Sequence, residues 1–211
     1  MRTDDLIRRL AADLPEAAGP DGARIAERRP ASFGLVATVA LALTIPLSVA
    51  LYGPLIDLQR ADLFGLAFWA GTVAIAVWAT HRLARPEPAP ILTLFGPPAI
   101  LLAATMIMAW LGRDGGVTVF RTDHILHCAE IVGLLALGPF LWLSLVMRRG
   151  APASPRAAGA MIGLIAGAIA ALAYTLNCPI EDALAALSAH TVSVLLVSAL
   201  GGVIGPSLFR W

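Results

Sequence analysis

The chain contains no lysine: all fifteen of its basic residues are arginine, and charged residues of both signs fill only 14% of its 211 positions. So little charge beside 58% hydrophobic residues and a mean hydropathy of +0.80 leaves too little polar surface to dissolve as a single globular domain, and a membrane protein is expected. A formal net charge of +1 excludes a broad nucleic-acid-binding face, because that affinity comes from many side chains neutralising phosphates. Nothing marks an enzyme or calls for a cofactor. No glycine-rich loop follows a strand to cradle phosphate, no hydrolytic constellation is present, and Ser144 and Ser193 read as helix-packing residues. A cleavable signal peptide is not expected either, since Asp4, Asp5, Asp13, Glu16, Asp21 and Glu27 stand in the first 33 residues and no apolar core follows the early charges.

What is there is hydrophobic run after hydrophobic run. A spanning helix needs roughly 20 mostly apolar residues, and six stretches supply them, near 34–56, 63–81, 91–111, 125–147, 157–176 and 185–207. The expected architecture is all-α: a cytoplasmic arm over 1–33, then six transmembrane helices in three hairpins over 34–211. Arginines set the orientation, because positive residues stay in the cytoplasm. Twelve fall on one side: Arg2, Arg8, Arg9, Arg24, Arg28 and Arg29 in the arm, Arg82 and Arg85 in the second loop, Arg148, Arg149 and Arg156 in the fourth, and Arg210 in the tail. Only Arg60, Arg113 and Arg121 fall on the other, so both termini are expected in the cytoplasm.

Asp62, Asp123 and Asp182 open the second helix of each hairpin as first-turn acids would; an internal repeat and ordinary capping preference explain this equally well. Gly159, Gly163 and Gly167 on the fifth helix, and Gly201 and Gly205 on the sixth, recur every four residues and permit close helix approach. Packing within the bundle is the simpler reading and homodimerisation the other. Pro46 and Pro54 are expected to kink the first helix, and Pro97 and Pro98 to occupy the first turn of the third.

Within the arm, residues 3–14 have a capping threonine, Asp4 and Asp5 in the first turn, and Leu6, Ile7, Leu10 and Leu14 on one stripe, with Pro15 closing the pattern. A three-turn helix is not stable alone. Its stripe must rest on the inner leaflet, on the protein's own loops or on another protein. Lipid-lying helices present mostly basic polar faces, whereas Arg8 and Arg9 here mix with Asp4, Asp5 and Asp13, which favours a protein partner.

The two cysteines, Cys128 and Cys178, fall at the non-cytoplasmic ends of the fourth and fifth helices, on the side where disulfides persist. The short loop from Arg148 to Arg156 makes those helices neighbours whose outer ends can bring the thiols together. The bland alternative is a buried small residue and a loop residue. His124, His127 and His190 are the candidates should a soft metal bind, with Glu130 and Glu181 nearby, but no recognised metal motif is present and none is assigned. Glu130 and His190 call for an interior or wet setting, because ionisable groups in a bilayer are costly. His81 reads as an interfacial residue.

The opening Met1-Arg2-Thr3-Asp4-Asp5-Leu6-Ile7-Arg8-Arg9-Leu10-Ala11, Cys128, the run from Arg149-Gly150-Ala151-Pro152 through the fifth helix to Tyr174-Thr175-Leu176-Asn177-Cys178-Pro179, and the ending Gly205-Pro206-Ser207-Leu208-Phe209-Arg210-Trp211 stand in an order that resembles the NrsF-type family of bacterial membrane anti-sigma factors. The resemblance spans nearly the whole chain and departs from the family at Ala189-His190, where an aromatic pair is common. It implies a protein of the bacterial inner membrane whose arm, through Asp4, Asp5, Leu6, Ile7, Arg8, Arg9, Leu10 and Leu14, sequesters an extracytoplasmic-function sigma factor. It also implies release when Cys128 and Cys178 report oxidants or thiol-reactive metals. Two other classes compete. A small transporter or channel would line a path with Glu130 and His190, and a membrane oxidoreductase would use the histidines for haem or hold a quinone.

Overall fold

The computed structural model describes residues 29–53, 63–83, 96, 98–100, 102–107, 122–148, 152, 154–178 and 183–209. Two compact units divide the chain, Met1–Ser32 and Phe33–Trp211, and the second is the helical bundle. Among the described residues six helices follow in order: α1 Arg29–Tyr52, α2 Leu63–Leu83, α3 Pro98–Ile107, α4 Thr122–Arg148, α5 Pro155–Thr175 and α6 Ala183–Leu208. No strand occurs among the described residues. Five of the helices are long and apolar enough to cross a membrane, while α3 is shorter. The expected third span, near 91–111, therefore appears as a helix only between Pro98 and Ile107, its flanks lying outside the described residues. The arm segment 3–14, expected to bind the sigma factor, and Pro54, Asp62, Pro97, Arg113, Arg121, Glu181 and Asp182 also lie outside them, as do the side chains of His81, Asp123 and His124.

Helix ends follow local chemistry more closely than hydropathy does. α1 stops at Tyr52, four residues earlier than its apolar run suggests, because Gly53 turns to φ +103° and its N–H bonds the Val49 carbonyl at 3.0 Å before Pro54. Pro54 thus follows the helix instead of kinking it, whereas Pro46 is inside. α5 starts two residues earlier than expected. Ser154 is its N-cap, the hydroxyl accepting from the Ala157 N–H at 3.4 Å, and Pro155 supplies the first-turn proline that costs no helical hydrogen bond.

α5 is the axis of the bundle. It is buried from Ala157 to Tyr174 apart from Ala160, and α6, α4 and α2 pack against it, with α4 also packing on α6. Its Ala- and Gly-rich sequence makes this possible. A Cβ on Gly163 would lie 2.6 Å from the Val197 carbonyl oxygen and one on Gly167 3.2 Å from the Val194 Cα; Gly159 faces Gly201 and Gly205. The glycine faces of α5 and α6 therefore meet each other within one chain. Ser198 Oγ closes the same seam by donating to the Ala160 carbonyl at 2.9 Å.

The surface inverts the pattern of a soluble protein. Large apolar side chains point outward, among them Leu43, Leu47 and Leu51 on α1, Leu137, Leu141 and Leu145 on α4, and Leu200 and Val203 on α6. Small residues fill the interior, as packing between helices in lipid favours. Four buried hydroxyls are satisfied within their own helices, Thr44 donating to Ala40, Thr80 to Ala76, Thr191 to Leu187 and Ser193 to Ala189, whereas Ser144 Oγ meets no partner among the described residues. At the far end Arg148 Nε donates to the Leu208 carbonyl at 2.9 Å, so a cation from α4 caps the C-terminus of α6.

Candidate functional site

One end of the bundle, where α1 and α5 finish and α2, α4 and α6 begin, gathers the chemistry. Cys128 lies two turns into α4 and is fully buried; Cys178 follows the end of α5 and is half-buried. Their side chains, both thiols, lie close enough to interact. The meeting follows from counting. Cys128 stands 20 residues before Arg148, the last residue of α4, and Cys178 stands 23 after Pro155, the first of α5. Two antiparallel helices leaving a short loop are thus about 30 Å long when they reach the cysteines.

Tyr174 is the hub beside the thiols. Its ring stands edge-on to Tyr52 of α1 at 5.8 Å and packs on His190 of α6 at 5.6 Å, and its hydroxyl is 3.4 Å from His127 Nε2 on α4. Four helices therefore meet at one side chain. His190 is buried, with Nδ1 3.5 Å from Thr175 Oγ1. Because Thr175 spends its only proton on the Ala171 carbonyl at 2.7 Å, its oxygen accepts from His190 Nδ1, and the second ring nitrogen, Nε2, takes no part in that bond. That Nε2 has no partner, nor has the indole N–H of Trp69, whose ring centroid is 6.4 Å away. Beyond α5, Asn177 Nδ2 donates to Ser48 Oγ of α1 at 2.9 Å, and Ser48 donates in turn to the Ala173 carbonyl at 3.3 Å.

Of the residues singled out from sequence, Cys128, Cys178, His127 and His190 come together around Tyr174. Among the described residues no group of three His, Cys, Asp or Glu is placed to hold a metal ion. Glu130 is exposed on α4 while His190 is buried, so the pair does not line a common interior path. Tyr174, Trp69, Ser48 and Asn177 were missed. Tyr174, Asn177 and Cys178 belong to one short run, which was the available signal; Trp69 and Ser48 had none, being ordinary residues of apolar helices.

The family described as NrsF, negative regulator of sigma F, matches residues 20–211. Two curated relatives align over the full length of both chains at 31% identity: the probable anti-sigma-F factor NrsF of Azospira oryzae, over 224 aligned positions, and the anti-sigma-F factor NrsF of Caulobacter vibrioides, over 230. Residues 1–19 lie outside the family match but inside both full-length alignments. No solved structure matches the chain significantly.

Proposed function

The chain belongs to the NrsF family of negative regulators of sigma F, and from that premise we propose that it is an inner-membrane anti-sigma factor that holds an extracytoplasmic-function sigma factor by its arm and releases it when Cys128 and Cys178 change state. The observation that carries the release step is the contact between two thiols fifty positions apart in the chain. A thiol pair in contact is one oxidation, or one thiophilic ion, away from a different geometry.

Topology supports the reading. α2 leaves the thiol end and α4 starts again from it, which supports a return of the chain across the bundle between them. The proposed layout has six crossings with both termini on one side, and on that layout the same side collects twelve of the fifteen arginines. The thiols then face the oxidising compartment and the arm faces the transcription machinery. On the sigma factor, Leu6, Ile7, Leu10 and Leu14 fill an apolar groove while Asp4, Asp5, Arg8 and Arg9 set the register. Binding of this kind keeps the sigma factor from RNA polymerase.

The test is a pull-down from native membranes with tagged full-length protein, a form lacking residues 1–15, and Cys128→Ser with Cys178→Ser. A sigma factor should copurify with the first and third and not with the second, and oxidant should elute it from the first alone. Failure of the full-length protein to retain any sigma factor would sink the proposal.

A further inference from the structure

We propose that Ser48 and Asn177 form a latch that passes the state of the thiol pair to α1, and that the closed latch with both cysteines reduced is the holding state; this rests on the anti-sigma reading above. Asn177 is bonded through the main chain to Cys178 and through its side chain to Ser48. α5 ends at Thr175, and the Asn177 N–H has turned to the Tyr174 carbonyl at 2.9 Å. The Ala173 carbonyl, which that N–H would bond in a continuing helix, is thereby left open, and the Ser48 hydroxyl takes it. The turn that carries Cys178 is thus held to α1 by side chains and not by helical hydrogen bonds.

Oxidation of the pair removes two protons and two electrons to a two-electron oxidant and draws the sulfurs together to about 2.05 Å. Cys178 must move toward α4 for that, because Cys128 is fully buried within a regular helix. Its neighbour Asn177 moves with it, and a hydrogen bond of 2.9 Å does not survive a displacement on that scale. The latch is also lightly held. Asn177 Oδ1 is buried without a partner among the described residues, so the amide is held through Nδ2 alone, which donates to Ser48 because the one Ser48 proton goes to the Ala173 carbonyl.

α1 is the fitting receiver. Among the described residues the extensive interfaces tie α5 to α6, α4 and α2, and α4 to α6, while α1 meets the end of α5 through Ser48 and Tyr52. The α5–α6 seam leaves no room to slide at Gly159 and Gly163. Pro46, two residues before Ser48, withholds the main-chain bond to the Ala42 carbonyl and makes α1 easier to bend there. And α1 is the helix whose chain runs directly back to the arm.

The experiment uses the full-length protein in its host, with a reporter on a promoter whose transcript rises when this chain is deleted. Ser48→Ala and Asn177→Ala should each raise uninduced output about fivefold or more at unchanged abundance in the membrane, and should do so equally with Cys128→Ser and Cys178→Ser present. Ser48→Thr, which keeps the hydroxyl, should restore repression. Wild-type output from Ser48→Ala, or a rise that disappears in the cysteine-free background, overturns the latch. Should Asn177→Ala fail to accumulate, Ser48→Ala decides alone, since alanine fits wherever serine does. If no transcript rises on deletion of the chain, the anti-sigma reading itself fails, and the latch falls with it.

Discussion

A side chain on Gly163 would set its Cβ 2.6 Å from the carbonyl oxygen of Val197, so α5 and α6 approach as closely as their backbones allow. Gly163→Ala should force the two helices apart and cost about 1–3 kcal/mol, in the range of overpacked cores. Gly71→Ala on α2 meets nothing within 4 Å and should leave stability unchanged or slightly raised. Denaturation of the purified protein in mixed micelles compares them; equal stabilities would mean that the seam is looser than it stands here.

Cys128 and Cys178 should close to an intramolecular disulfide on treatment with diamide. The product would be read as loss of both maleimide-labelling sites without a change in mass from crosslinked dimer. In the reduced protein Cys178, half-buried, should label faster than the fully buried Cys128. A disulfide-linked dimer as the main product would show that the sulfurs reach another copy more easily than each other.

His190 Nε2 is buried and meets no hydrogen-bond partner among the described residues. Replacing it by leucine removes an unpaired polar atom along with one weak bond to Thr175, and the change should be neutral or stabilising within about 1 kcal/mol. Tyr174→Ala, by contrast, empties a site where four helices meet and should cost about 3–5 kcal/mol. A loss above about 2 kcal/mol for His190→Leu would mean that Nε2 is hydrogen-bonded, with a bridging water to the Trp69 indole as the first candidate.

How far the sequence carried these conclusions differs from residue to residue. The glycine spacing on α5 and α6 was readable because a four-residue repeat fixes one helix face, and the approach of Cys128 to Cys178 because both are nearly the same distance from one short loop. Hydropathy misjudged the end of α1 and the start of α5, where Gly53-Pro54 and Ser154-Pro155 carried the better signal. The exposure of Glu130 needed the rotation of α4, which a nearly uniform apolar helix does not encode. Ser48 with Asn177, and Trp69 with His190, are contacts between helices more than a hundred residues apart, set by packing and invisible to any local pattern.

The arm gives the sharpest test of the partner, because its chemistry separates from that of the bundle. A peptide of residues 3–14 is too short to hold a helix in water and should give a coil spectrum alone. Adding the sigma factor should raise its helical signal, since the stripe of Leu6, Ile7, Leu10 and Leu14 then has a groove to fill. Leu6→Asp or Leu10→Asp should abolish the change, each burying a charge in that groove, while Arg9→Ala should weaken it only several-fold. Vesicles of anionic lipid offer the competing surface. Helix induced by vesicles and not by the sigma factor would assign the stripe to the membrane and move the sigma contact to residues 16–33.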